Sequence, residues 1–290
     1  MNGQFILSCC STVDLPYEHL TQRQIPVLFY TYVVDGREYT DDMGRDPEAL
    51  PRFYRFLEEG KLPQTSQINV AAYAAFFEEQ LKKGDLLHIA FSSGQSGSVN
   101  NAHIAAEALR EKYPERKIYV VDGLCASLGQ GLFVYYAAKK RTAGMGLEEL
   151  YSWCLENRLH LCHWFTVDDL MYLKRGGRVS AATALVGTML SIKPVLHVDD
   201  EGHLINVGKA RGRKSSIQAL ADKMGQLQIP GENDTVFICH GDCIEDAKYL
   251  ESLVKERYGV KNVLIYYTGA VIASHSGPGT LALFFIGEHR

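Results

Sequence analysis

The chain has 290 residues, enough for one large domain or two ordinary ones around a sizeable core. Hydrophobic residues make up 46%, typical of a soluble globular protein, and the net charge of −4 gives no overall reason to expect nucleic acid. No apolar run reaches the ~20 residues of a spanning helix, and the N-terminus lacks the basic and apolar regions of a signal peptide. The seven cysteines, with no Cys-x-x-Cys pair, read as reduced thiols of a cytoplasmic protein without a zinc site.

Phe5 to Cys10 predicts a buried strand, ended by Ser11-Thr12-Val13-Asp14-Leu15-Pro16. Ile25 to Val34 is rich in β-branched and aromatic residues. Asp35-Gly36 then turns the chain into Arg37-Glu38-Tyr39, predicting a hairpin. Pro47 to Glu59 reads as a helix closed by Gly60. Leu62 to Asn69 is a polar loop containing Thr65-Ser66-Gln67, after which Val70, Tyr73, Phe77 and Leu81 mark one helical face. Leu86 to Phe91 is a second buried strand and Val99 to Lys112 a helix. Lys117 to Asp122 is a third strand, and residues 125 to 140 form a helix containing Gly129-Gln130-Gly131. Two glycines there cost roughly 1 kcal/mol each against Ala, a cost kept for close packing or for close approach of a ligand; packing is favoured.

A helix follows to about Asn157, and a second region starts near Leu159. It holds a strand (159–167), helices (168–175 and 180–191) and a hairpin, Val195 to Val198 and Leu204 to Val207, around Asp199-Asp200-Glu201-Gly202. A helix (213–227), a strand (235–240), a helix (244–258) and a strand (262–267) come next, and Leu281 to Ile286 closes the chain. Alternating strands and helices imply parallel pairing through crossovers. The expected fold is therefore α/β with two α/β domains, residues 1–160 mainly a parallel sheet and residues 161–290 a mixed sheet.

Phe91-Ser92-Ser93-Gly94-Gln95-Ser96-Gly97-Ser98 joins the second strand to the helix after it. A helix N-terminus presents unpaired N–H groups and a positive dipole end, and in such sheets ligands collect at the carboxyl ends of the strands. The serines, Ser93 and Ser96 among them, add hydroxyls, and Gly97 lets a ligand approach the backbone. No Lys or Arg lies in or beside the loop, which argues for a carboxylate over a polyphosphate. An ordinary capped turn, with Ser96 or Ser98 as N-cap, is the plainer alternative.

The same loop nearly matches the G-x-S-x-G nucleophile elbow, with Ser98 in place of the last Gly. With a downstream acid and His275 it would give a serine hydrolase. His275-Ser276-Gly277-Pro278-Gly279 reads as a constrained loop able to aim an imidazole. Between residues 174 and 214, Lys174, Arg175, Arg178, Lys193, Lys209, Arg211, Arg213 and Lys214 are opposed only by Asp199, Asp200 and Glu201. This is either a docking face for an acidic or phosphate-bearing partner or an ordinary solvated surface.

Six stretches, in order, resemble the DegV family, bacterial fatty-acid-binding proteins that include the FakB-type subunits of fatty acid kinase. They are Ser11–Pro16, Thr65-Ser66-Gln67, Ser92–Ser98, Ala126–Gly131, Leu173-Lys174-Arg175-Gly176-Gly177-Arg178 and His275–Gly279. The resemblance implies two domains with an acyl chain buried in a tunnel between them. It implies that Thr65 and Ser96, with Ser93, Gly97 and His275 close by, hold the carboxylate of a long-chain fatty acid. It implies no cofactor and no catalysis by this chain. Arg178, Arg211 and Arg213 become candidates for contact with a kinase partner, and peripheral membrane contact for lipid exchange is compatible with the role. The chain departs from the family pattern at Cys10 (usually Asp), at Ser98 (usually Thr) and at Ile68-Asn69 (often Pro-Ser).

Overall fold

The computed structural model describes residues 5–179 and 191–290. Strand β1 (Ile6–Cys10) is buried in all but its first residue and ends in a single 3-10 turn. Helix α1 (Tyr17–Thr21) leads to β2 (Val27–Leu28), and β3 (Thr31–Val34) and β4 (Arg37–Thr40) form the expected hairpin. The Ile25–Val34 run is nevertheless split between two sheets, because β2 pairs with β1 in parallel while β3 pairs with β4. The split falls at Tyr30. Its N–H donates to Ser11 Oγ (3.1 Å) and its carbonyl accepts the Asp41 N–H (3.0 Å), so its backbone is satisfied outside either ladder.

Helix α2 (Ala49–Glu58) packs Phe53, Tyr54 and Leu57 against this hairpin. The expected loop at 62–69 contains a short strand, β5 (Gln64–Thr65), which adds to β3 with Thr65 opposite Tyr32. Helix α3 (Val70–Leu81) is capped by Asn69, whose side chain accepts the Ala72 N–H at 2.9 Å. Then come β6 (Leu86–Ala90), α4 (Ser98–Lys112), β7 (Ile118–Asp122), α5 (Ser127–Thr142) and α6 (Leu147–Asn157). Four strands form a parallel sheet in the order β2-β1-β6-β7. Parallel crossovers place the loops after β1, β6 and β7 at one edge of it.

The rest of the chain builds β8 (Leu161–Thr166), α7 (Leu170–Arg175), β9 (Ile192–Val198), β10 (Leu204–Arg211), α8 (Arg213–Leu227), β11 (Thr235–His240), α9 (Ile244–Tyr258), β12 (Asn262–Tyr267), α10 (Ala270–Ser276) and β13 (Leu281–Ile286). The helix expected over 180–191 lies outside the described residues, apart from its last position. A six-stranded sheet runs β10-β9-β8-β13-β11-β12, with only β11 and β12 parallel, so the fold is α/β with one parallel sheet, one mixed sheet and the small antiparallel sheet β4-β3-β5. His275 stands on the last turn of α10 rather than on a loop, and Gly277, at φ +77°, ends that helix.

Helix α5 lies between the two sheets. Leu128 and Phe133 belong to one apolar cluster that includes Leu7 and Ile89 of the parallel sheet and Phe237 and Phe284 of the mixed sheet. A Cβ at Gly129 would stand 2.1 Å from His163 Nε2, and one at Gly131 would stand 2.6 Å from the Val13 carbonyl oxygen. Close packing on both sides is what the two mid-helix glycines permit.

Candidate functional site

The loop after β6, the edge strand β5, helix α10 and the mixed sheet surround a cavity of about 680 Å³. Its polar side comes from loops. Ser92 Oγ donates to the Gly202 carbonyl (2.9 Å), as does Gln95 Nε2 (3.2 Å), so the turn between β9 and β10 clamps the Ser/Gly loop. That clamp is tight: a Cβ at Gly94 would lie 2.5 Å from the Gly202 carbonyl carbon. Helix α4 begins at Ser98, with Gly97 as N-cap. Ser96 Oγ accepts the Ser98 N–H at 3.2 Å, which ties the first turn and leaves the Ser96 O–H free to donate. Gly97 lies under the side chain of Gln67, whose Oε1 would be 2.7 Å from a Cβ there.

Thr65 is held by the β3–β5 ladder, and its Oγ1 lies 2.7 Å from His275 Nε2. Burial, and then the Arg178 guanidinium, push the His275 pKa down to about 4, so the ring is neutral at physiological pH. The ring packs on Gly176, where a Cβ would stand 2.3 Å from Nδ1. Next in sequence, Gly177 has φ +71°. This pair accounts for the glycines of Lys174-Arg175-Gly176-Gly177-Arg178. The opposite wall is apolar: Phe165, Ala282 and Phe284 from the mixed sheet, Val198 and Leu204 from the β9–β10 hairpin.

Thr65, Ser93, Ser96, Gly97 and His275 all line this one cavity. Arg178, read from the sequence as a docking residue, lines it too, and its Nε donates to the Gln95 carbonyl at 3.2 Å. The Ser/Gly loop thus has a cation beside it that its neighbours in sequence do not supply. Arg211 is exposed at the end of β10, away from the cavity. Arg213 is engaged with Asp246 (2.8 Å) and Asp168 (3.7 Å).

Sequence reasoning missed Tyr30, Gln67 as a positioning group, and Ser127. Ser127 has a left-handed backbone (φ +54°), lines the cavity and donates to Asp14 Oδ2 at 2.5 Å. Burial, followed by the neighbouring Asp41, raises the Asp14 carboxyl well above the ordinary range. Only the paired small residues of Ala126–Gly131 and Ser11–Pro16 hinted at this contact. Tyr30 had no local signal, because the hydroxyls beside it belong to Tyr73, Ser96 and Ser98, far along the chain.

The hydrolase geometry is absent at Ser96. His275 pairs with Thr65 instead, its lowered pKa makes it a weak base, and Ser96 has no left-handed backbone.

The model for the DegV family, described as "Uncharacterised protein, DegV family", matches residues 10–288. A DegV domain-containing protein of Clostridium perfringens is 46% identical over 289 residues, 99% of each chain. A DegV lipid-binding protein from Thermotoga maritima has a similar structure, with TM-score 0.87 and 29% identity over 99% of both chains. A fatty-acid-binding DegV family protein from Thermus thermophilus gives TM-score 0.85 and 28% identity, covering 98% of this chain and 99% of its own. With five of its six motifs lining one cavity and the family matched over nearly its whole length, the chain belongs to the DegV family.

Proposed function

We propose that this protein binds a long-chain fatty acid between its two halves, divided near residue 160, and carries or presents it in the cytoplasm without catalysing a reaction itself. The carrying observation is a single cavity with hydroxyls and a neutral imidazole on one side and an apolar wall on the other. A chain of about fourteen methylenes at ~0.8 kcal/mol each represents on the order of 11 kcal/mol gross, reduced by ordering and association costs. Affinity comes from the apolar wall. Thr65, Ser96, Ser93, the Gly97 region and His275 offset the several-kcal/mol cost of burying a carboxylate, with Arg178 as the nearby cation. The relatives from Thermotoga maritima and Thermus thermophilus, a lipid-binding and a fatty-acid-binding protein, support the ligand class.

Mass spectrometry of the denatured recombinant protein should release a fatty acid. Protein that is empty and also fails to bind added hexadecanoate or octadecenoate overturns the reading. Thr65→Ala and Ser96→Ala should each weaken binding about tenfold while leaving the fold intact. As the finer part of the same reading, the bound carboxylate is presented to a fatty acid kinase for acyl-phosphate formation. Arg211 is the cleaner docking residue, since Arg213 already has carboxylate partners. Arg211→Glu should then reduce phosphorylation without reducing fatty acid binding; unchanged turnover rejects the docking role. Exchange of the lipid would take place by peripheral contact with a membrane.

A further inference from the structure

We propose that Tyr30 is a further head-group ligand in this cavity, its phenol donating a hydrogen bond to the fatty acid carboxylate and discriminating it from uncharged lipids of the same length. The inference rests on the fatty-acid reading above. Tyr30 lines the cavity and is only 3% exposed, and its hydroxyl has no hydrogen-bond partner among the described residues. It lies beside the Ser98, Tyr73 and Ser96 hydroxyls, close enough for each to lower its pKa, yet meets none of them in a well-formed hydrogen bond.

Those neighbours already make other hydrogen bonds. The Ser96 oxygen accepts the Ser98 N–H. Tyr73 OH sits between Ser98 Oγ (3.1 Å) and Cys10 Sγ (3.4 Å), Cys10 Sγ meets His88 Nε2 (3.4 Å), and His88 Nδ1 meets Ser8 Oγ (2.9 Å). A continuous chain of uncharged groups therefore runs through the parallel sheet behind the cavity, each linked to the next. Tyr30, beside Ser96 and Ser98, keeps a buried O–H with no well-formed acceptor. Packing holds the ring, because Tyr30 belongs to a buried cluster with Ile68, Tyr73, Val99 and Val271, and its backbone N–H and carbonyl are bound to Ser11 and Asp41. Two residues on, Tyr32 is registered against Thr65, so the strand that presents Tyr30 also positions the Thr65–His275 pair.

A carboxylate is acceptor-only and suits a lone donor; a hydrogen bond to a charged acceptor is also about twice as strong as one to a neutral acceptor. Burial holds the phenol pKa well up, so Tyr30 remains a donor throughout the physiological range.

The test compares wild type with Tyr30→Phe, after delipidation, for hexadecanoate and for 1-hexadecanol. The expected result is about a tenfold loss for the acid and less than a threefold loss for the alcohol. An acid affinity within twofold of wild type, or equal losses for acid and alcohol, overturns the proposal; in the second case Tyr30 is structural. A second readout uses the wild-type protein and so does not depend on the variant folding. With carboxyl-13C hexadecanoate bound, tyrosine-selective labelling should reveal a protected hydroxyl proton close to the labelled carbon, and its absence also counts against Tyr30. Wild type that binds neither probe rejects the fatty-acid reading itself. Wild type that binds hexadecanoate with no Tyr30 effect rejects only this inference.

Discussion

Gly176 and Gly177 are adjacent and chemically identical, yet they are glycine for different reasons. Gly176 has an ordinary backbone, but the His275 ring occupies the space a side chain would need, with Nδ1 2.3 Å from the Cβ position. Gly177 has open space around it and a φ of +71°. Alanine at Gly177 should therefore cost about 1–2 kcal/mol of stability through left-handed strain and leave ligand affinity unchanged. At Gly176, alanine must displace the imidazole from Thr65, so affinity for hexadecanoate should fall about tenfold, with about 1–3 kcal/mol lost from overpacking. Urea midpoints and fatty-acid displacement on the two variants separate these effects. Equal affinities would mean that the His275–Thr65 contact is not part of the binding site.

Helix α5 shows what a local pattern can reveal about an element. Its existence, its two glycines and the preference for packing over ligand approach all follow from residues 125–140, although the helix starts at Ser127. What it packs against does not follow, because His163, Phe284 and Val13 come from distant parts of the chain. Gly129→Ala should cost about 1–3 kcal/mol by pushing His163 Nε2 and Phe284 out of the space they share with the helix. Thermal or urea unfolding measures this; a change below about 0.5 kcal/mol would show that the joint between the sheets yields freely. The same division explains the remaining elements. Strands β1, β6 and β7 were legible because they are continuous apolar runs flanked by turn residues. The break at Tyr30 was not, since Ser11 and Asp41 hold it by contacts absent from the local pattern. Strand β5 is only two polar residues paired to β3, and α10 hides in a Gly/Pro-flanked motif that reads as a loop. At the candidate site, the motifs located Thr65, Ser96 and His275. The positions of Tyr30 and Arg178 depend on the tertiary fold, so composition near the loop gave no sign of either.

The buried ionisable groups make the stability of the whole molecule depend on pH, and two sets act in opposite directions. Burial is the first cause for each histidine: it lowers His88 to about 3 and His240 and His275 to about 4, and it carries His163 well below its ordinary value. A histidine with a depressed folded pKa binds fewer protons in the folded state than in the unfolded state. Its contribution is fully present above about 6.5 and is lost as pH falls toward 4. Asp41, raised by burial to about 6, and Asp14, also raised, have the opposite sign. They hold protons that the unfolded chain has released, so their contribution is greatest below about 4 and is lost as pH rises through about 6. His19 and His197 are lowered by burial as well, so six histidines oppose two aspartates across the same window, and the expected net result is a stability that falls on acidification from pH 6.5 to 4. His275→Gln removes one member of the set, and it should flatten that slope by up to one proton, about 1.4 kcal/mol per pH unit. Urea unfolding of delipidated wild type and variant, at constant ionic strength and half-unit pH steps, measures both slopes. Superimposable slopes would mean that His275 titrates alike in the folded and unfolded chains, contradicting its burial beside Arg178 and Thr65.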